Sequence, residues 1–63
     1  MIEIMIERWS QRDGSTDGLW SIWQDGERRH MGLPQQTADA AEIEARAACH
    51  KFMGKSPDDI TVL

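Results

Sequence analysis

An Asp-Gly pair at positions 25 and 26 constrains the fold of this chain more than any other feature. It separates Leu19-Trp-Ser-Ile-Trp-Gln24 from Glu27-Arg-Arg-His-Met31. A two-residue type I′ turn needs positive φ at both central positions, and Asp-Gly is among the pairs that tolerate it. The segment 19–31 is therefore read as a β-hairpin. An uninterrupted two-residue turn sets Gln24 opposite Glu27, Trp23 opposite Arg28, Ile22 opposite Arg29, Ser21 opposite His30 and Trp20 opposite Met31. Opposed residues share a face. One face then carries Trp20, Ile22, Met31 and the Arg29 stem, and is the better core. The other carries Leu19, Ser21, Trp23, Arg28 and His30.

The rest of the chain completes a sheet around this hairpin. Residues 2–9 read Ile-Glu-Ile-Met-Ile-Glu-Arg-Trp, an alternation with β-branched residues that marks a strand. Ile2, Ile4 and Ile6 face the core, which leaves Glu3, Met5, Glu7 and Trp9 on the opposite face. Residues 10–18 hold two further Asp-Gly pairs in a polar run and read as a loop that partly extends the flanking strands. Gly32-Leu33-Pro34 ends the third strand. Thr37 is placed as a helix N-cap, with Asp39 and Glu42 near the positive end of the helix dipole. The alanine-rich run from Ala38 to Met53 is strongly helical, and Gly54 suits a left-handed C′ position. Ala41, Ala45, Ala48 and Phe52 fall on one stripe bordered by Cys49. Ile43 falls outside that stripe, either exposed or under Leu33-Pro34. After a turn at Ser56-Pro57-Asp58, residues 59–63 form a last strand with Ile60 and Val62 inward. The expected fold is a two-layer α+β domain. It has a four-stranded, mostly antiparallel sheet in the order β-β-β-α-β, with one helix packed on one face and the other face open. The preferred spatial order is 3-2-1-4, with 1-2-3-4 close behind.

A chain of 63 residues makes one small domain, which buries only ~60% of the surface its unfolded form exposes. A lone cysteine, Cys49, cannot form an internal disulfide, which points to the cytoplasm. No apolar run reaches the ~18 residues of a membrane span, and Ile2-Glu3-Ile4 is interrupted by acid, unlike a secretion signal. These features argue against a membrane partner. Seven Lys and Arg against eleven Asp and Glu give a formal charge of −4, which favours basic partners over phosphate backbones.

Little in the sequence carries chemistry. Cys49 and His50 are adjacent on a helix and point ~100° apart, a poor arrangement for one metal ion. Cys49 beside alanines reads as a small buried hydrophobe. Gly54-Lys55-Ser56 has the ending of a phosphate-binding loop, but Cys49 stands where the upstream glycine belongs. The run also follows a helix, whereas that mechanism needs the N–H groups at a helix start. Asp58-Asp59 reads as the acidic start of a strand or as half a cation site. Arg28-Arg29-His30 alternates between faces and makes no basic patch. No nucleophile–base pair, converging carboxylates or cofactor loop is legible, so the expectation is a non-enzyme with no metal and no cofactor.

The open face stands out instead. Its candidate partner-binding residues are Glu3, Met5, Glu7, Trp9, Trp23, Arg28 and His30. Apolar surface left in water costs ~25 cal/mol per Å², and Trp, Met and Arg are enriched at protein interfaces. A purely structural alternative has Trp9 and Trp23 packing on each other and on the Arg28 stem. Trp9 and Trp23 would also offer stacking platforms to nucleic-acid bases. Glu3 and Glu7 share their face, however, so direct nucleic-acid binding ranks last.

The segment Gly-Leu-Trp-x-x-Trp-x-Asp-Gly-x-Arg, from Gly18 to Arg28, resembles hairpins of small phage-encoded anti-CRISPR proteins. The resemblance covers about a dozen residues and transfers no functional residue. It implies a short acidic inhibitor that covers a functional surface of a protein or protein–nucleic-acid complex. The leading expectation is thus a small acidic interaction protein binding a macromolecular partner. The alternative is a structural or regulatory homodimer formed through the open sheet face.

Overall fold

The computed structural model describes residues 1–10, 12–14 and 16–63, with the side chain of Thr16 excepted. The elements follow the order β1 (Ile2–Ser10), β2 (Thr16–Gln24), β3 (Glu27–Met31), α1 (Ala38–Met53) and β4 (Asp59–Val62). They form one four-stranded sheet in the order β3-β2-β1-β4, the preferred arrangement of the two expected. β1 and β2 pair antiparallel over nine residues each, from Ile2 opposite Gln24 to Ser10 opposite Thr16. β4 lies parallel to β1, with Ile4 opposite Ile60. Ser10 of the polar run after Trp9 thus lengthens β1, residues 16–18 lengthen β2, and Gln11 and Ser15 of the expected loop lie outside the described residues.

The alternation in β1 produces what it promises. Ile2, Ile4 and Ile6 are buried beneath α1 with Trp20 and Ile22 of β2. From the helix come Ala41, Ala45 and Cys49, spaced four apart along one stripe. Their small side chains let α1 lie close over β1 and β2. This stripe differs from the expected one. Ala48 is only partly buried, and Phe52 is 53% exposed. The cause is the width of the covered sheet: α1 packs on the central strands, so Phe52 projects toward the outer strand β3. Ile43 is 72% exposed and lies on the solvent side. Val62 is also substantially exposed, because β4 is an edge strand that α1 does not cover.

Local chemistry fixes the ends. Thr37 Oγ1 accepts from Ala40 N at 3.0 Å, as an N-cap should. Gly54 has φ 74° and donates its N–H to His50 O, closing the helix in the left-handed conformation. At the hairpin, Asp25 has φ 52° and Gly26 φ 84°, both positive as a type I′ turn demands. The Asp25 carboxylate also accepts from the Met1 ammonium at 2.7 Å, which holds the Asp25 carboxyl below its usual range. At the opposite edge, the Ile2 N–H donates to Asp58 Oδ2 at 2.7 Å, and Asp58 N–H donates to Ile2 O at 2.8 Å. Asp58 therefore stitches the start of β4 to β1.

The hairpin contains the main departure from expectation. Gln24–Glu27 and Trp23–Arg28 pair as foreseen, but Ile22 then pairs with His30 and Ser21 with Met31. One extra residue, Arg29, sits in β3 as a β-bulge. Every residue after it changes face. His30 moves to the helix side, where its ring stacks on Phe52 with centroids 4.5 Å apart and planes 19° from parallel. Met31 leaves the core for the open face and is 51% exposed. Arg29 itself is exposed and pairs with Glu27 at 3.3 Å.

Candidate functional site: the open sheet face

The registers arrange the uncovered face in rows across the sheet. One row runs Arg28, Trp23, Glu3, Asp59, and the next runs Met31, Ser21, Met5, Thr61. Leu19 then faces Glu7, and Asp17 faces Trp9. Of the seven residues singled out in the sequence, Glu3, Met5, Glu7, Trp9, Trp23 and Arg28 share this face. His30 does not, because the Arg29 bulge reverses it. Met31 takes its place as an apolar member that the sequence reading put in the core. The bulge was the missing signal, and nothing in Glu27-Arg-Arg-His-Met31 marks an extra residue.

Trp9 and Trp23 do not pack on each other. Trp9 lies opposite Asp17 at one end of β1, and Trp23 lies opposite Glu3 near the other. At about 3.4 Å per residue, the two rows are about 20 Å apart. Each indole is instead held by the residue two before it on its own strand. Trp9 Nε1–H donates to Glu7 Oε2 at 3.0 Å, and Trp23 Nε1–H donates to Ser21 Oγ at 2.8 Å. Both polar handles are thereby satisfied. Trp23 is partly covered beside Arg28, whereas Trp9 is 56% exposed.

Two shallow grooves meet at Trp9. One, of about 220 Å³, is lined by Trp9, Asp17, Leu19 and Pro34. The other, of about 260 Å³, is lined by Glu7, Arg8, Trp9 and Leu63. Pro34 reaches the first because the chain after β3 keeps running beside β2. Gly18 and Gln35 exchange two backbone hydrogen bonds, each 2.8 Å. Gly18 has no room for a side chain, since a Cβ there would meet Thr37 O at 2.5 Å. Arg8 is held at the second groove by its Nε–H donating to Leu63 O at 2.9 Å.

The remaining reactive side chains lie elsewhere. Cys49 is buried on the sheet side of α1, its Sγ–H donates to Lys55 O at 3.2 Å, and burial pushes its thiol up from the ordinary range. Ser56 Oγ sits 3.2 Å from His50 Nε2, a pairing brought about by the turn after Gly54 and invisible in the sequence. Both residues are exposed, His50 in the last turn of α1 and Ser56 just after its cap, and neither lines the two grooves at Trp9. Among the described residues, no three His, Cys, Asp or Glu side chains converge as a metal site would. Likewise, no helix among them is long and apolar enough to cross a membrane.

The open face is thus an aromatic and methionine surface interleaved with carboxylates. Glu3, Glu7, Asp17 and Asp59 are set against a single cation, Arg28, in its registered rows. No protein-family model, curated protein or solved structure matches the chain, so its own geometry carries the functional reading.

Proposed function

We propose that this chain is a non-catalytic interaction protein whose open sheet face docks on a macromolecular partner with a basic surface. The observation that carries the reading is the composition of that face. Trp9, Trp23, Met5 and Met31 supply the aromatic and thioether surface typical of interface cores, and the carboxylates of Glu3, Glu7 and Asp59 surround them. Complementary charge steers such an encounter and selects against anionic partners.

The same observation separates this reading from self-association. In a two-fold dimer through the open face, the patch meets a copy of itself. The carboxylates of Glu3, Glu7 and Asp59 on one copy would then lie against a patch of the same negative balance, with Arg28 the one cation in its registered rows. A basic partner meets no such repulsion. A CRISPR effector complex, whose guide and target channels are basic, is one concrete partner of this kind, and the likeness of the Gly18–Arg28 segment makes it the first to try.

The test is capture on the immobilised chain, from lysate and from a reconstituted CRISPR effector complex, with light scattering on the free protein. The reading expects a monomer and a retained partner that is released as salt rises, since exposed charges are screened within a Debye length of ~8 Å at physiological ionic strength. Trp23→Ala and Glu3→Lys should each weaken retention. A stable dimer whose association survives high salt, or capture indifferent to both substitutions, would replace it with the homodimer or with another surface.

A further inference from the structure

Resting on the open-face reading, we infer that the groove between Trp9 and Pro34 receives an arginine side chain of the partner. The lining has three parts that suit a guanidinium. The Trp9 ring gives an exposed flat wall, fixed by its own bond to Glu7 Oε2. Leu19 and Pro34 give an apolar surface for an aliphatic stem. Asp17 gives a carboxylate, which already takes part in an interaction within the chain; a guanidinium would share its oxygens, since a carboxylate oxygen can accept more than one hydrogen bond.

Arginine combines these needs in one side chain. Its planar cation stacks on an aromatic face while its N–H groups bond a carboxylate in a fork, which a lysine ammonium cannot match. The volume of about 220 Å³ exceeds the ~150 Å³ cavity that accepts a benzene-sized guest. The neighbouring groove is less suited, because Arg8 lines it and would repel a second cation. Among the described residues, no Lys or Arg lines the groove at Pro34. A phosphate or carboxylate ligand fits poorly there, with Asp17 in the wall and Glu7 against the indole.

The experiment is a titration of the ¹⁵N-labelled protein with the blocked tetrapeptide Gly-Arg-Arg-Gly, followed by amide and indole signals. The citrulline, lysine and leucine analogues serve as comparisons. Saturable shifts are expected at the Trp9 indole N–H and at the Asp17 and Leu19 amides. The lysine peptide should bind more weakly, and the citrulline and leucine peptides should produce no saturable shift. Trp9→Ala should weaken the arginine peptide about two- to fivefold, the scale of an exposed cation–π contact. Asp17→Asn, which leaves the aromatic wall in place, should weaken it as well. Equal binding of the citrulline or leucine peptide would overturn the assignment in favour of apolar docking. Shifts centred on Trp23, or none at Trp9, would overturn it while leaving the open face as the docking surface. The open-face reading itself falls separately, if partner capture ignores Trp23→Ala and Glu3→Lys.

Discussion

Replacing Gly32 with alanine should destabilise this domain through one ring. A Cβ on Gly32 would stand inside 3.0 Å of Trp20 Cε2, Nε1 and Cζ2. Trp20 is 3% exposed and packs among Ile4, Ile6 and Ile22 in the core cluster, so its indole has little room to retreat. Overpacking of this kind costs about 1–3 kcal/mol. In a domain of this length each kcal/mol lowers Tm by roughly 4–8 °C, so the centre of the range predicts a fall of about 8–16 °C. Trp20→Phe supplies the decisive background. It shortens the ring, taking away Cζ2 of the atoms that face Gly32, and removes the buried Nε1–H, which has no hydrogen-bond partner among the described residues. An unsatisfied buried donor costs about 1–3 kcal/mol, so part of the loss of ring volume is offset. Urea unfolding of both single variants and the double variant closes a cycle. The clash predicts that Gly32→Ala costs at least about 1 kcal/mol less in the Trp20→Phe background than in wild type. Equal costs in the two backgrounds would refute the close approach of Gly32 to the ring. They would also remove the reason the chain can turn here and carry Pro34 to the groove at Trp9.

Three further outcomes follow from other contacts. Because burial raises the Cys49 thiol above its ordinary value of 9.0, the unfolded chain ionises first as pH rises. The stability is whole below pH 9.0 and is lost as pH climbs through the folded value. Urea midpoints should therefore fall across that window in wild type more than in Cys49→Ala. Phe52→Ala removes the stack on His30 and should cost below about 1.5 kcal/mol in thermal unfolding, with no effect on partner capture, since neither ring lies on the open face. Asp58→Ala removes the carboxylate that accepts the Ile2 N–H and should cost about 1 kcal/mol. Its signature is faster amide exchange through β4 while Ile22 stays protected.

Where a local rule leaves one choice, the sequence was enough. The strict alternation of Ile2, Ile4 and Ile6 fixes which side of β1 is buried. Asp25-Gly26 fixes the turn because few residues accept positive φ there. Thr37 and Gly54 mark the helix because each satisfies backbone groups that the helix leaves open. The bulge at Arg29 obeys no such rule. It is favoured by contacts between distant segments, His30 against Phe52 and the Gly32 backbone against Trp20, and pairing arithmetic from the turn cannot see them. The error it causes is confined to β3: His30 and Met31 exchange faces while Trp23 and Arg28 keep theirs. The helix stripe was blurred for another reason. Alanines occupy 38, 40, 41, 45, 47 and 48, on several sides of the helix, so periodicity alone does not single out Ala41, Ala45 and Cys49. The groove between Trp9 and Pro34 was beyond reach because Pro34 is brought to it by the pairing of Gly18 with Gln35.

The three tryptophans give the central claim its most direct measurement. Trp9 and Trp23 lie on the open face, and Trp20 is sealed beneath α1. In a ¹⁵N spectrum the three indole N–H signals report these places separately. On stepwise addition of a captured partner, docking through the open face predicts that the Trp9 and Trp23 signals shift or broaden together while Trp20 keeps its position. Perturbation of Trp20 with Trp9 and Trp23 unmoved would place the partner on the helical side and contradict the account.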